Sequence, residues 1–242
     1  MTKGCLIVHG LTASPATVAP LADALLKEGY RVATPLLAGH NGTLDDVGHS
    51  TWQQWYETVR VAYRELRRNV DVVYYAGLSL GALLGIKLAA DEGWGVRAFA
   101  LLSTPLTLSR WNNFLIPLAR FTPLHHLIAS TPKNWKHSVG DPEGLRMYQN
   151  SSFARFPSRA AFQLAELQGI VRRELPRVKN PLLLVHATQD RVSPYRNVAL
   201  VQKLAGSETV DVTTLTHSQH VITLDAEKDA VAKAVIQFFK RH

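Results

Sequence analysis

Five residues, Gly77-Leu78-Ser79-Leu80-Gly81, stand between an apolar run, Val72-Val73-Tyr74-Tyr75-Ala76, and a helix-forming run from Ala82 to Ala90. A G-x-S-x-G pattern in that setting admits few folds. It needs a strand that ends in a sharp turn and feeds a helix packed against the same sheet. The spacing has a steric cause. A serine presented at a sheet edge sits on a turn so tight that side chains two before and two after it would collide, and glycine has no Cβ to collide. The helix that follows aims its first N–H groups at the same place, where they can stabilise developing negative charge. The same five letters also occur in plain strand-to-helix turns, so the flanking strand and helix carry the weight of the reading.

The rest of the chain repeats that alternation. Short β-rich apolar runs at 5–8, 31–34, 72–76, 98–102, 182–186 and 209–214 alternate with helical patterns, which predicts an α/β fold with a mostly parallel sheet of about six strands flanked by helices. Ser14 as N-cap and Pro15 at the first position predict the start of the first helix. Its apolar face is Val18, Leu21, Ala22 and Leu25. Trp52, Trp55, Tyr56 and Val59 mark a second helix, and Val231, Ala234, Val235 and Phe238 mark the last one. These stripes are packing faces and carry no chemistry.

The rhythm breaks between about residues 107 and 175. No strand pattern is evident there, and Pro117, Pro123, Pro132, Pro142 and Pro157 interrupt the helical stretches. Aromatic residues are frequent: Trp111, Phe114, Phe121, Trp135, Tyr148, Phe153, Phe156 and Phe162. The expected organisation is a core of 1–106 and 176–242, with 107–175 as a helical insertion over the carboxyl edge of the sheet, where ligands bind in open α/β folds. Charge gathers in the same region. Residues 107–180 hold eleven Lys or Arg against four Asp or Glu, so this stretch supplies +7 of the chain's net +8. A basic face of that kind can meet acidic substrates or lipid headgroups, or simply keep the surface solvated. No nucleic-acid-binding motif accompanies it.

Other compartments and chemistries find little support. No apolar run approaches the ~20 residues that span a bilayer. At the N-terminus, Cys5-Leu6-Ile7-Val8 is cut short by His9-Gly10, too early for a secretory signal, so a cytoplasmic location is the expectation. The single cysteine, Cys5, allows no internal disulfide and reads as a small buried hydrophobe in a strand. His125-His126 does not read as a metal site, because neighbouring residues do not face one ion and no further ligand lies at ligand spacing. Gly81 to Lys87 fails as a phosphate loop, since its glycines are too close and its lysine is one residue late.

A serine nucleophile needs a base, and the base needs an orienting carboxylate. Asp190 follows the apolar strand Leu182-Leu183-Leu184-Val185-His186 within a loop at the same sheet edge as Ser79, although a loop aspartate can also cap the next helix. His220, in Ser218-Gln219-His220-Val221-Ile222, follows the last strand; His217 competes with it, and Val221-Ile222 favours His220 by anchoring its loop. The order Ser79, Asp190, His220 is Ser…Asp…His. Two backbone N–H groups should form an oxyanion hole: that of Leu80, after the serine, and that of Leu11, where Gly10 lets the loop after the first strand turn close to a substrate.

These segments together resemble the α/β-hydrolase-fold carboxylesterases, above all the small bacterial carboxylesterases and monoacylglycerol lipases. The likeness rests on His9-Gly10-Leu11-Thr12-Ala13-Ser14-Pro15, Pro35-Leu36-Leu37-Ala38-Gly39-His40, the Trp52-to-Tyr56 segment, Gly77 to Gly81, and Ser218 to Asp225. It covers most of the chain outside the insertion. It implies hydrolysis of small carboxylic esters through an acyl-enzyme, without cofactor or metal. Ser79 would be the nucleophile, His220 the base and then acid, and Asp190 the orienter, with Leu11 and Leu80 as the oxyanion hole and a cap above. There are two departures. Ala82 stands where a second glycine is common, and Leu11 where many members have an aromatic; either can reshape an acyl pocket. The insertion matches nothing residue by residue, so acyl length, alcohol and oligomeric state stay open. Thioester or carbon–carbon hydrolysis, or acyl transfer, would use the same triad, and a non-catalytic ligand-binding module would need no proton relay.

Overall fold

Eight strands lie among the described residues, six of them where β-rich runs predominate: β1 (Lys3–Val8), β2 (Arg31–Ala33), β3 (Val72–Leu78), β4 (Phe99–Leu102), β5 (Ser130–Pro132), β6 (Arg155–Pro157), β7 (Leu182–Ala187) and β8 (Val210–Leu215), with β5 and β6 the exceptions. The computed structural model describes residues 1–108 and 129–242. Outside them lie Arg110, Trp111, Phe114, Pro117, Arg120, Phe121, Pro123, His125 and His126, all of which belong to the expected insertion. Six strands make one parallel sheet in the order β2-β1-β3-β4-β7-β8. The six strands expected from the sequence are these six, with ends displaced by no more than two residues.

Eight helices lie among the described residues: α1 (Ala19–Lys27), α2 (Leu44–His49), α3 (Trp52–Arg67), α4 (Leu80–Glu92), α5 (Pro142–Asn150), α6 (Ser158–Glu174), α7 (Asn197–Leu204) and α8 (Lys228–Arg241). Strand side chains alternate between two faces, and both faces are buried. Leu6, Val8, Tyr75, Phe99 and Leu184 pack with Trp55 and Val59 of α3, Leu84 of α4 and Leu167 of α6. Cys5, Ile7, Tyr74, Leu102 and Val185 pack with Leu25 of α1 and with Val235 and Phe238 of α8. Cys5 is fully buried and free, and burial pushes its thiol pKa far up, so it is an inert core residue. Lys87, of the rejected phosphate loop, pairs instead with Asp91 at 2.6 Å and Glu174 at 3.2 Å.

Two local expectations need correction. Ser14 and Pro15 open a short 3-10 turn, Pro15–Val18, and the Ser14 side chain makes no cap hydrogen bond; α1 begins at Ala19. Pro20 is the cause. It has no N–H to give and its ring would strike the carbonyl of Ala16 in a continuous helix, so the helix restarts with proline in its first turn. The insertion does contain strands. β5 and β6 pair antiparallel, Thr131 opposite Phe156. Three residues each, with a proline in both, leave too little alternation to read.

The sheet order turns back on itself between β1 and β3, with β2 built outward on one side and β4, β7 and β8 on the other. The register brings the carboxyl ends together: Val8 beside Gly77, Leu78 beside Leu102, Leu102 beside Val185, and Ala187 beside Leu215. Loops leaving β1, β3, β7 and β8 therefore converge at one edge, at the switch point where open α/β sheets bind ligands. No helix among the described residues is long and apolar enough to cross a membrane.

Candidate active site

Ser79 has φ 55° and ψ −113°, a backbone conformation that L-residues avoid. The surrounding structure enforces it. Ser79 N–H donates to Leu102 O at 2.9 Å, and Ser79 O accepts from Ala82 N–H at 2.9 Å. A Cβ on Gly77 would strike the Gly81 carbonyl, and one on Gly81 would strike the carbonyl of Val8. Both glycines are thus required by close backbone approach, as the spacing suggests. Among the described residues, three non-glycine residues have positive φ, Thr12, Ser79 and Ser103, and each lies in the segment that follows β1, β3 or β4. Such strain gathers at functional sites.

Ser79, Asp190 and His220 are brought into one hydrogen-bonded chain. His220 Nε2 lies 2.9 Å from Ser79 Oγ, and His220 Nδ1 lies 2.7 Å from Asp190 Oδ2. A carboxylate only accepts, so the Nδ1 proton points at Asp190 and Nε2 is left to accept from the serine hydroxyl. His220 is 6% exposed, whereas His217 is on the surface and is held by its backbone to Glu227. Asp190 is buried too. Burial alone would raise its pKa, but His220 and His186 beside it outweigh that and hold the carboxyl well below its usual range. Its Oδ1 accepts from the N–H groups of Val192 and Ser193, both at 2.8 Å.

The two candidate oxyanion amides belong to segments next to the serine. Leu80 is the first residue of α4, so its N–H has no partner inside the helix. Leu11 belongs to the loop after β1, and Gly10 before it is so near Ser79 that a Cβ there would lie 3.4 Å from the Ser79 Cβ.

Three further groups hold the site, and the motifs assign none of them a role. His186 lies at the end of β7, 3.5 Å from Asp190 Oδ2, with its Nε2 donating to Ser193 O at 2.8 Å. It is the polar residue inside an otherwise apolar strand, which is the only sequence clue. His9 and His40 flank the Leu11 loop. Asp225 is fully buried and accepts from four backbone N–H groups: Gly140 at 3.0 Å, Asp141 at 2.8 Å, Gln219 at 2.6 Å and Ala226 at 2.9 Å. It joins the segment before α5 to the loop that carries His220. Replacing Asp225 by Ala removes a buried carboxylate and leaves four part-buried backbone donors without it, and a loss of about 2 kcal/mol in urea unfolding is expected. A loss below about 1 kcal/mol would refute that role.

Among the described residues, no group of three or more His, Cys, Asp or Glu is gathered for a metal. A cavity of about 910 Å³ opens along β8 beside Val210, Val212 and Arg241; it touches none of the residues above.

Comparison with known proteins agrees with this architecture. A family model described as serine aminopeptidase, S33, matches residues 2–227. The thermostable monoacylglycerol lipase of Bacillus sp. (strain H-257) is 25% identical over 244 residues, covering 99% of this chain and 91% of that protein. The carboxylesterase of Bacillus subtilis (strain 168) is 23% identical over 241 residues, covering 99% and 93%. Among solved structures, one from the work on LipS and LipT, two metagenome-derived lipolytic enzymes, superposes with a TM-score of 0.90 at 27% identity, covering 99% of this chain and 94% of that one.

Proposed function

Since the chain belongs to the serine aminopeptidase, S33, family and has the α/β-hydrolase fold, we propose that it is a serine carboxylesterase acting on short- to medium-chain esters, monoacylglycerols included. The hydrogen-bonded chain Ser79–His220–Asp190 supports this reading most directly. The names of its relatives, a monoacylglycerol lipase and a carboxylesterase, support the bond it breaks.

Ser79 Oγ attacks the ester carbonyl as His220 Nε2 takes its proton. The N–H groups of Leu11 and Leu80 stabilise the oxyanion, aided by the N-terminal end of α4. His220 then gives the proton to the departing alkoxide, and the C–O bond breaks to leave an acyl-Ser79. Water, deprotonated by the same imidazole, attacks the acyl carbon. Ser79 Oγ leaves with that proton, and the carboxylic acid is released. Asp190 stays ionised throughout and holds the imidazole in the tautomer that accepts at Nε2.

Residues 107–175 form the cap in this reading. Its described part is bonded to both sides of the site. Phe153 N–H donates to Thr12 O at 2.9 Å, and Val221 N–H donates to Ser138 O at 2.8 Å. Exposed basic residues of that part, Lys136, Arg146, Arg155 and Arg159 among them, are the ones that would meet an anionic lipid surface.

The test is a series of nitrophenyl esters from acetate to palmitate, with an aminoacyl nitroanilide beside them. Ester turnover peaking at short or medium chains is the expected result. Turnover of the nitroanilide alone would assign the chain to peptide bonds instead. No turnover at all by the folded protein would move it to thioester or carbon–carbon cleavage, to acyl transfer, or to binding without catalysis. Repeating the series at two ionic strengths tests the cap. Rates on dispersed lipid esters should fall with salt more than rates on soluble esters, and equal responses would remove the lipid contact.

A further inference from the structure

Two buried histidines bond to each other's loops. His9, fully buried, follows β1; His40, 6% exposed, closes the Pro35–His40 segment after β2. His9 Nε2 accepts from Leu37 N–H at 3.1 Å, while its Nδ1–H donates to Gly10 O at 2.8 Å. His40 Nε2 accepts from Thr12 N–H at 3.0 Å, while its Nδ1–H donates to Ala38 O at 3.0 Å. So the first loop's histidine holds the second loop, and the second loop's histidine holds the first. The two rings meet edge to face at 5.3 Å, and Trp55 closes the far side of His40 at 6.3 Å.

Each ring uses one nitrogen as acceptor and the other as donor, which only a neutral imidazole can do. The surroundings keep both neutral. Burial, with the nearby His40, lowers the His9 pKa to about 3; burial lowers that of His40, and Lys133 nearby acts in the same direction.

Leu11 lies between the two points so held. Gly10 O before it accepts from His9 Nδ1–H, and Thr12 N–H after it donates to His40 Nε2. Thr12 has φ 61°, where a β-branched residue does not rest unaided. Its Oγ1–H donates to Leu11 O at 2.6 Å, which fixes the Leu11–Thr12 peptide that follows the Leu11 N–H.

We propose that His9 and His40 are a reciprocal pair of positioning residues that hold the Leu11 N–H in place for the oxyanion. This rests on the esterase reading given above. Neither ring touches substrate; both act through the backbone of residues 10–12. Because a misplacement of about 1 Å can cost ~100-fold in rate, loss of the Thr12 anchor should lower kcat by roughly 10- to 100-fold with KM little changed.

Two polar variants at one position separate this from a general loss of packing. His40→Gln can keep an acceptor where Nε2 was. His40→Asn keeps a donor near Nδ1 but is too short to reach Thr12 N–H. The expected result is that Asn loses kcat and Gln recovers most of it. The affinity of an alkyl boronic acid, which forms a tetrahedral adduct on Ser79, should follow the same order. His9→Asn combined with His40→Asn should lose little more than the worse single variant, since the two act as one unit. The proposal is overturned if folded His40→Asn keeps wild-type kcat, if Asn and Gln are equally impaired, or if only KM moves. Wild type is assayed alongside. An inert wild type counts against the esterase reading, and an active wild type with an unimpaired His40→Asn counts against the histidine pair.

Discussion

Ser79→Ala lowers kcat on the best nitrophenyl ester by about a million-fold, to near the background rate in water, and leaves the fold standing. The two halves of this expectation have separate causes. The hydroxyl is the proposed nucleophile, and it is the group that His220 Nε2 bonds. The backbone at residue 79 is held by the Leu102 and Ala82 hydrogen bonds and by the two glycines, none of which needs Oγ. Alanine also carries the same Cβ into the same positive φ, so the strain is unchanged. Unfolding free energy should therefore stay within about 1 kcal/mol of wild type. Adding His220→Ala should cost little more activity, because a base without its nucleophile has no proton to take. Residual activity above a percent of wild type, in a preparation free of wild-type enzyme, would mean that another group attacks the ester.

Much of the architecture is legible because it depends on short-range pattern. The parallel strands are buried on both faces, so they read as unbroken apolar runs such as Leu182 to Val185, and their ends are marked by polar residues. The grouping of Ser79, Asp190 and His220 is legible for a topological reason. Each follows a strand, and parallel strands put all such loops at one edge. What escapes the sequence depends on contacts without local period. β5 and β6 are defined by each other rather than by their own residues. The start of α1 turns on Pro20 against Ala16, four residues apart, which the N-cap signal at Ser14 obscures. His186 looks like an isolated polar residue along the chain, and His9 and His40 lie in segments that carry the resemblance without showing what they bond. Their partners, Asp190, Leu37 and Thr12, become visible only when the loops are brought together. Asp225 ends the Ser218–Asp225 segment in sequence with nothing to mark its role, and is a four-bond hub in space.

Asp190→Asn should cost about ten-thousand-fold in kcat, and here the geometry says why so small a change does so much. The two carboxylate oxygens have different neighbours. Oδ1 faces two backbone donors, Val192 and Ser193 N–H, which cannot turn away. An asparagine must therefore place its carbonyl oxygen there and its NH₂ where Oδ2 was. That NH₂ donates to His220 Nδ1, which forces the imidazole proton onto Nε2. With Nε2 already protonated, His220 can no longer take the Ser79 proton, although every heavy atom is in its old position. His186 does not relieve this, because its Nε2–H already points at Ser193 O and it too is a donor toward that site. The loss should fall on kcat, with KM within about threefold, since substrate contacts are untouched. It should shrink at high pH, where the imidazole or the serine gives up its proton to solvent base. A variant with near-normal kcat at neutral pH would show that the Asp190 carboxylate does not set the tautomer of His220.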